Sequence, residues 1–458
     1  MNSNIISQEN DLIAALATPL GSSALAVIRT SGPGCVAAVA ALTDRPESLA
    51  RCPGGRIRRA QLRDPQSGRL LDDLMLGIFR APRSYTGEEA VELFCHGSVP
   101  GVQEILALLF RSGFRRAEPG EFTLRAFLAG KVDLTRAEAV QEIVSSRTAR
   151  GHGLALGRLG GSVEAEVNRF KDRLVGVMAG IALQLDYPEE ETGQIPLDRE
   201  EVARLREGLL QLAASYSAGK LYQEGVTIAL AGKTNAGKSS LFNALLKEDR
   251  AIVSDIPGTT RDYIESSLDL GGIPLRIFDT AGLRETREIL EGEGIRRTGQ
   301  LLESADLVLY LVDGTRGVTG EETERLARAA TGEGPPCVPV WNKADDGACL
   351  PAPEGFFPVS ARTLQGIEAL LEEVRRQVTP EGRYREGSPV IDSLRQRDLL
   401  ERAAQALFEV ERGIQEEMPV DVLSLDVQEA IHALGEITGE VTSADILDAV
   451  FQQFCVGK

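Results

Sequence analysis

The segment GKTNAGKSS, residues 232–240, has glycines, a lysine and serines at a spacing that suits the binding of a phosphate chain. The apolar run VTIALAG precedes it and SLFNALL follows it, which predicts a strand, a loop and a helix. In that setting the N–H groups of the loop and of the helix N-terminus surround phosphate oxygens. We expect Lys238 to reach the β- and γ-phosphates of a nucleotide and the Ser239 hydroxyl to bind Mg²⁺.

Two further motifs follow in the order that such a site needs. The motif FDTAG ends a predicted strand with Asp279, which would hold Mg²⁺ through water, and with Gly282, whose N–H can turn toward a γ-phosphate. The motif WNKAD contains Asp345, a carboxylate able to accept hydrogen bonds from the N1–H and 2-amino groups of guanine. Asn342 and Lys343 would brace that pocket. Together these motifs predict a GTP-binding domain that uses Mg²⁺.

The chemistry of hydrolysis is harder to read from the residues. The motif VSAR places Ser360 and Ala361 where a backbone N–H can meet the guanine O6. Leu283 follows FDTAG, at the position where Ras-like enzymes have a glutamine that orients the attacking water, and an apolar side chain cannot do this. Arg261 has the charge to stabilise the transition state, or it is an ion-pair partner of Asp262.

The elements that must position these residues alternate between strand and helix from the phosphate loop onward, which predicts a parallel sheet with crossover helices. Helical periodicity occurs both before and after this region, and short apolar or alternating runs near the start indicate mixed α and β structure. The two helical stretches either form one domain interrupted by the α/β unit or are separate domains. The predicted divisions are 1–129, 130–223, 224–378 and 379–458.

Composition limits the partners. The chain has 458 residues, a net charge of −18, 43% hydrophobic residues and six cysteines without metal-like spacing, and it shows no predicted membrane span or secretory signal. We therefore expect a cytoplasmic protein. A nucleic-acid partner would need a local basic surface. Two groups of arginines are candidates, although each can equally be ordinary solvated residues: Arg51, Arg56, Arg58, Arg59 and Arg63, and Arg111, Arg115, Arg116 and Arg125.

Longer motifs carry a resemblance to a known family. They include IRTSG, SYTGEEAVEL, RAEPGEFTLRAFLAGKVDLTRAEAV, NAGKSS, SDIPGTTRD, GEITGEVTSADIL and the terminal FCVGK. The chain resembles the MnmE (TrmE) family of tRNA-modifying GTPases over nearly its whole length. The resemblance implies α/β plus all-α structure: an N-terminal mixed α/β tetrahydrofolate-binding domain, a discontinuous helical domain and an inserted Ras-like P-loop G domain.

For the G domain, the resemblance implies that a K⁺ ion takes the place of an arginine finger, held by Asn235, Ser254, Ile256 and Thr259. Glu291 matches the family's water-positioning glutamate, and this role is favoured over the alternative of an ordinary helix-start carboxylate. Thr260 would join Ser239 on Mg²⁺. The full set expected to bind nucleotide or ions comprises Asn235, Ala236, Gly237, Lys238, Ser239, Ser240, Ser254, Asp255, Ile256, Pro257, Gly258, Thr259, Thr260, Asp279, Thr280, Ala281, Gly282, Asn342, Lys343, Asp345, Ser360 and Ala361.

For the N-terminal domain, the resemblance implies dimerisation and the binding of a tetrahydrofolate derivative, 5,10-methylene- or 5-formyl-tetrahydrofolate. Arg29, Glu92, Lys131 and Lys458 match the folate-contacting positions. Glu92 can accept hydrogen bonds from a pterin, and cations suit the glutamate carboxylates. The turn TPLGSSALA departs from the more glycine- and arginine-rich turn of the family. Cys455 would lie near the folate and would attack the uridine ring, act as an acid or base, or only shape the site.

The family acts with the flavin-binding partner MnmG (GidA) on the wobble uridine of certain tRNAs. The resemblance implies addition of an aminomethyl or carboxymethylaminomethyl group at C5, from a folate one-carbon unit and ammonium or glycine. FAD and NADH would belong to the partner, and GTP hydrolysis would drive a conformational switch. A ribosome-binding regulatory GTPase and a binding-only scaffold are the alternatives, and folate binding would separate them from the modification enzyme.

Overall fold

The computed structural model describes residues 11–186, 198–247, 251–252, 265–279, 303–379 and 387–458. Its contacts divide the chain into two compact units. The first contains the described residues within 1–144, 158–202 and 406–458, and the second those within 145–157 and 203–405. The four domain boundaries expected from the sequence stay predictions. Among the described residues, no helix is both long and apolar enough to cross a membrane.

The first unit contains a six-stranded sheet in the order β3-β4-β5-β2-β1-β6. Its neighbours are antiparallel except β1 and β6, which are parallel. The strands are β1 Leu12–Leu16, β2 Ser23–Ser31, β3 Arg56–Arg63, β4 Leu70–Phe79, β5 Ala90–Gly97 and β6 Phe114–Arg116.

The described helices are numbered α1 to α15 in chain order. They are α1 Cys35–Ala40, α2 Pro46–Ala50, α3 Val99–Arg111, α4 Glu121–Leu128, α5 Leu134–Ser145, α6 Ala149–Leu159, α7 Ser162–Asp186, α8 Arg199–Ala214, α9 Tyr216–Glu224, α10 Lys238–Lys247, α11 Gly320–Ala330, α12 Ile367–Val378, α13 Leu394–Gln415, α14 Val420–Thr438 and α15 Ala444–Phe451. Within the first unit, α7 packs along α14, and α15 packs against α4.

The two faces of the first sheet differ, because side chains alternate along each strand. Leu74, Leu76 and Ile78 of β4 are buried in the core beneath α1 and α3, whereas Met75 between them is exposed. On the side opposite this core, Phe122 of α4 packs over β1. The sheet therefore has a second face that is covered at the β1 end and open toward β3.

A network of buried charges ties α4 to β6 and to the start of β1. Glu121 is 2% exposed and accepts hydrogen bonds from Arg115 at 2.7 Å and from Arg125 at 2.8 Å. The same two arginines contact Asp11, and Arg125 also donates to Glu88. Burial raises the pKa of Glu121, but the hydrogen bonds and positive charges outweigh it, so the pKa lies below its ordinary value.

We expect Glu121→Gln to lower the free energy of unfolding by about 3 kcal/mol at pH 7, because Arg115 and Arg125 keep their charge but lose their most deeply buried carboxylate partner. The folded-state pKa of Glu121 is depressed, so its stabilisation is full above the ordinary value of 4.5 and is lost as pH falls. The wild-type protein should therefore lose stability below that pH more steeply than the variant. Denaturant unfolding at pH 7 and at pH 3.5 measures this difference.

Glu104→Gln is the matched control, because Glu104 forms an exposed ion pair with Arg69 at 2.7 Å. Such a pair contributes less than about 1 kcal/mol. If the two variants unfolded alike at both pH values, the buried network would not be a stabilising element of this unit.

The second unit contains a seven-stranded sheet in the order β13-β12-β11-β7-β10-β9-β8. β7 lies between β10 and β11, parallel to both, and its two faces carry separate apolar clusters. Because these strands are parallel, the carboxyl ends of β7, β11 and β12 lie together at one end of the sheet, where ligands of α/β sheets bind. The strands are β7 Val226–Gly232, β8 Ala251–Ile252, β9 Glu265–Leu270, β10 Ile273–Asp279, β11 Leu307–Asp313, β12 Cys337–Asn342 and β13 Phe357–Pro358.

Candidate functional sites

The phosphate loop joins β7 to α10 as the spacing predicts. Gly237 has φ +95°, and a Cβ there would lie 2.2 Å from the amide nitrogen of Asn342, so the position requires glycine. Asn235 also adopts a positive φ of 66°. Lys238 is 8% exposed, and its ammonium donates to the carbonyls of Gly232 at 2.9 Å and Lys233 at 2.8 Å. The lysine thus lies across its own loop, with its charge held at the phosphate site.

The guanine motif is joined directly to this loop. The Asn342 amide donates to the carbonyl of Ala236 at 2.8 Å and accepts from the N–H of Ala361 at 3.4 Å. The Ser360 hydroxyl donates to Asp345 at 2.6 Å. One asparagine therefore connects the phosphate loop, the end of β12 and the VSAR turn.

Asp345 is held as a carboxylate. The hydrogen bond from Ser360 lowers its pKa, burial opposes this, and the guanidinium of Arg362, 2.5 Å away, adds to the lowering, so the pKa lies below its ordinary value. One oxygen accepts from Ser360 and the other pairs with Arg362. A carboxylate that accepts only is what the two donors of guanine require.

Lys343 is paired with a residue outside the predicted set. Its ammonium donates at 2.6 Å to Asp313, the last residue of β11, which also accepts from the Thr315 hydroxyl at 2.7 Å. Burial raises the pKa of Asp313, but the bonds from Lys343 and Thr315 outweigh it and the pKa is lowered. Lys343 itself has φ 68°. The ion pair holds this strained backbone turn between β12 and Asp345.

Much of the predicted ion and switch machinery falls outside the described residues, and Asp279 is described only as the last residue of β10. Ser239 and Ser240 lie at the start of α10, both exposed. The expectations for the remaining positions stay predictions, since the structure does not describe Ser254, Asp255, Ile256, Pro257, Gly258, Thr259, Thr260, Thr280, Ala281, Gly282 and Glu291.

A second site lies in the first unit, on the sheet face opposite the α1 and α3 core. Arg29 of β2 and Glu92 of β5 are register partners, and the guanidinium donates to the carboxylate at 3.1 Å. The rings of Tyr85 and Phe122 flank the guanidinium, each with its centroid 5.6 Å from it. These residues line a cavity of about 50 Å³. A cation, a carboxylate and aromatic walls thus meet in one recess.

The segment FCVGK docks beside that recess. Arg29 donates to the carbonyl of Gly457 at 3.2 Å, and the N–H of Phe122 donates to the carbonyl of Lys458 at 3.2 Å. The N–H of Gly120 reaches the carbonyl of Cys455 at 3.5 Å. Gly457 has φ +98°, and a Cβ there would lie 2.6 Å from the carbonyl oxygen of Leu16. The docking uses main-chain atoms and depends on a glycine.

The side chains of the docked segment remain partly accessible. The Cys455 thiol is free and exposed, and Lys458 is half-buried. Burial lowers the pKa of Lys458, the charge of Arg29 lowers it further, and the neighbouring Cys455 opposes both. Lys131 donates to the carbonyl of Pro82, in the loop that leads to Tyr85. The structure therefore brings Arg29, Glu92 and the FCVGK segment together, with Lys131 at the adjoining loop.

The residue patterns did not indicate Asp313, Arg362, Tyr85 or Phe122. Asp313 had a usable signal, because it ends the apolar run LVLYLVD at the carboxyl end of a predicted strand. Arg362 and the two aromatic residues had none, since their roles depend on contacts between distant segments.

A phosphate loop joined through an asparagine to a guanine-specifying carboxylate defines a P-loop GTPase. The same chain has a second site, which is the recess on the six-stranded sheet of the first unit.

Comparison with known proteins gives the family. Residues 134–455 match the family described as the MnmE helical domain, and residues 12–131 match the GTP-binding protein TrmE N-terminus. The tRNA modification GTPase MnmE of Treponema denticola is 41% identical over 98% of this chain and 98% of that protein. The proteins of the same name from Carboxydothermus hydrogenoformans and Borrelia turicatae are 37% and 39% identical, over 98% and 100% of this chain and 99% and 100% of theirs. The chain belongs to the MnmE family, which confirms the predicted family and fold class.

Proposed function

We propose that this GTPase modifies tRNA, adding an aminomethyl or carboxymethylaminomethyl group at C5 of the wobble uridine. In this reaction the one-carbon unit would come from 5,10-methylene- or 5-formyl-tetrahydrofolate. The redox chemistry would use FAD and NADH of a flavoprotein partner, MnmG (GidA). The similar proteins support this proposal because they share the name tRNA modification GTPase. The setting would be cytoplasmic and the assembly a homodimer through the N-terminal domain.

The observation that carries the proposal is the meeting of the FCVGK segment with Arg29 and Glu92. A GTPase that only switched between states would have no need of an accessible thiol beside a polar recess in a separate domain. Thiols are the reactive nucleophiles and proton carriers among small side chains. Their placement beside a recess for a second small molecule supports group transfer in addition to GTP hydrolysis.

The residues of the recess suit a folate. The Glu92 carboxylate can accept from the N–H and amino groups of a pterin, and the aromatic rings of Tyr85 and Phe122 can pack on its faces. Lys131 and Lys458 supply positive charge for the glutamate carboxylates. When bound, the folate would supply the one-carbon unit, while these residues orient it and Cys455 would act from the adjoining FCVGK segment.

Folate binding is the test of this function. We expect 5-formyl-tetrahydrofolate to bind the wild-type protein and Arg29→Ala to weaken that binding at least about 30-fold, because Arg29 fixes both Glu92 and the FCVGK segment. Isothermal titration measures the affinity. Arg69→Ala is the control, since Arg69 forms an exposed pair in the same unit. Absence of folate binding by the wild-type protein would favour a regulatory GTPase instead.

For GTP hydrolysis, we propose that Asn235, Ser254, Ile256 and Thr259 hold K⁺, that Ser239 and Thr260 bind Mg²⁺ and that Glu291 positions the attacking water. A monovalent cation would supply the positive charge that an arginine finger supplies elsewhere, worth 10³–10⁵ in rate in that case. We expect GTP turnover to fall at least about tenfold when Na⁺ replaces K⁺, and Asn235→Ala to remove the difference. Equal rates in both salts would contradict the K⁺ assignment.

A further inference from the structure

The strand β3 forms one edge of the first sheet and is unusually basic for this chain. Residues 45–63 contain six arginines and one glutamate, a local charge of +5, whereas the whole chain has a net charge of −18. The strand pairs with β4 on one side, and its other side is bridged to Thr43 at Leu62, beyond the end of the strand that carries Arg56 and Arg58. A concentrated positive region on an acidic protein attracts a polyanion to that place and not to the rest of the surface.

The arginines of this region differ in their partners. Arg59 is committed to Asp73, to which it donates two hydrogen bonds of 2.8 and 2.6 Å. Arg51, Arg56 and Arg58 are exposed, and across the described parts of the chain none of the three forms an ion pair. Their guanidinium groups are therefore available, and they are called the edge arginines below.

The edge arginines lie close together. Arg51 directly follows α2 as its C-cap, and the carbonyl of the next residue, Cys52, accepts a hydrogen bond from Arg80 at 3.2 Å. Arg80 follows β4, whose Ile78 is the register partner of Arg56. Arg58 is two residues further along β3 and points to the same side as Arg56.

The arginines of the second group, at positions 111–125, contact other side chains of the protein. Arg115 and Arg125 belong to the buried network around Glu121. Arg111 lies 3.7 Å from Asp64, and Arg116 lies over the ring of a phenylalanine at 5.9 Å. In the second group Arg116 is the member without an ion pair among the described residues, whereas the edge arginines provide three such side chains in one region.

The sheet register shows which face of the sheet carries the edge arginines. Arg56 and Arg58 are the register partners of Ile78 and Leu76, which belong to the core beneath α1 and α3. Ile57 lies between them and pairs with Gly77, in the row that continues through Glu92 to Arg29 on the other face. The edge arginines therefore lie at the margin of the α1 and α3 face, which is the side of the sheet that carries α2, and not on the face of the recess.

We propose that the edge arginines bind phosphates of the tRNA backbone at the outer margin of the six-stranded sheet. The proposal rests on the proposed function and adds the docking surface. Guanidinium groups bind phosphate oxygens with paired hydrogen bonds, and a group of unpaired guanidiniums on an otherwise acidic protein directs a polyanion to that place. A second copy of this chain would bring the same positive edge, so two such edges repel in a twofold pair.

The test compares two double variants that remove the same charge. Arg56→Ala/Arg58→Ala should weaken binding of a wobble-uridine tRNA about tenfold at 0.1 M KCl. It should also reduce the slope of log affinity against log salt by about 1.5, since each lost phosphate contact accounts for about 0.7–0.9. Arg375→Ala/Arg376→Ala, on α12, is the control and should change the affinity by less than about twofold. Fluorescence anisotropy from 0.05 to 0.2 M KCl measures both quantities.

Equal binding by the two double variants would overturn the proposal. So would a change of oligomeric state in Arg56→Ala/Arg58→Ala seen by sedimentation, because the edge would then be an interface between copies. The melting temperature of each variant shows whether it is folded. Modification of wobble uridine by the wild-type protein is measured in parallel with the partner present, so that failure of the proposed function is seen separately from failure of the docking surface.

Discussion

Replacing Cys455 by serine should abolish tRNA modification, with a loss of at least about 100-fold, while GTP hydrolysis proceeds at the wild-type rate. A serine hydroxyl is scarcely ionised near neutral pH, so it replaces the thiol neither as a nucleophile nor as an acid or base. The segment should still dock, because its contacts use the carbonyls of Cys455, Gly457 and Lys458. Modified wobble nucleoside, quantified by mass spectrometry, and phosphate release measure the two activities.

Cys349→Ser provides the control for thiol loss elsewhere, since Cys349 is a half-buried free cysteine of the second unit. Its modification activity should match that of the wild-type protein. Normal modification by Cys455→Ser would show that the FCVGK segment is structural and that the chemistry uses another group.

The second large effect is expected at Asp345. Asp345→Asn should weaken GTP binding at least about 100-fold, because an amide cannot accept from both the N1–H and the 2-amino group of guanine, and a site left with an unpaired donor rejects its ligand strongly. Xanthosine triphosphate, which has a carbonyl in place of the 2-amino group, should bind this variant better than GTP does. Competition against a fluorescent nucleotide measures both affinities.

The pocket should survive this change, since an asparagine oxygen can still accept the 2.6 Å bond from Ser360. The ion pair with Arg362 would be lost, and Arg362→Ala isolates that contribution. Because Arg362 is exposed, its removal should reduce GTP affinity by less than about fivefold. A continued preference of Asp345→Asn for GTP would mean that the carboxylate does not face the base.

The nucleotide site was largely predictable because its motifs are local. Each is a few residues long, follows a strand, and is placed at one sheet edge by parallel topology alone, so Lys238 and Asp345 could be assigned before any contact was known. The bond from Asn342 to Ala236 could not, since it joins segments 106 residues apart. Its geometry depends on how β7 and β12 are ordered in the sheet.

The second site could be predicted only from the resemblance of the sequence to the MnmE family. Nothing in the alternation of β2 and β5 indicates that Arg29 and Glu92 are register partners, because register depends on the loops and core of the whole sheet. Strand β3 was also not predicted. Its sequence RIRRAQLR shows little apolar alternation, since only Ala60 and Leu62 reach the core and the arginines occupy the exposed end.

The hydrogen bond from Arg29 to Gly457 spans 428 positions of the chain. During synthesis at about 5 to 20 residues per second, roughly 20 to 90 seconds separate the appearance of these two residues. The six-stranded sheet can fold in that interval, since its strands all lie within the first 116 residues. The recess then lacks the Cys455 thiol until α13, α14 and α15 have been synthesised. A nascent chain therefore acquires its GTP-binding loop before its second site is complete, and the order of translation keeps Cys455 away from the recess until the sheet and the G-domain sequence have been made.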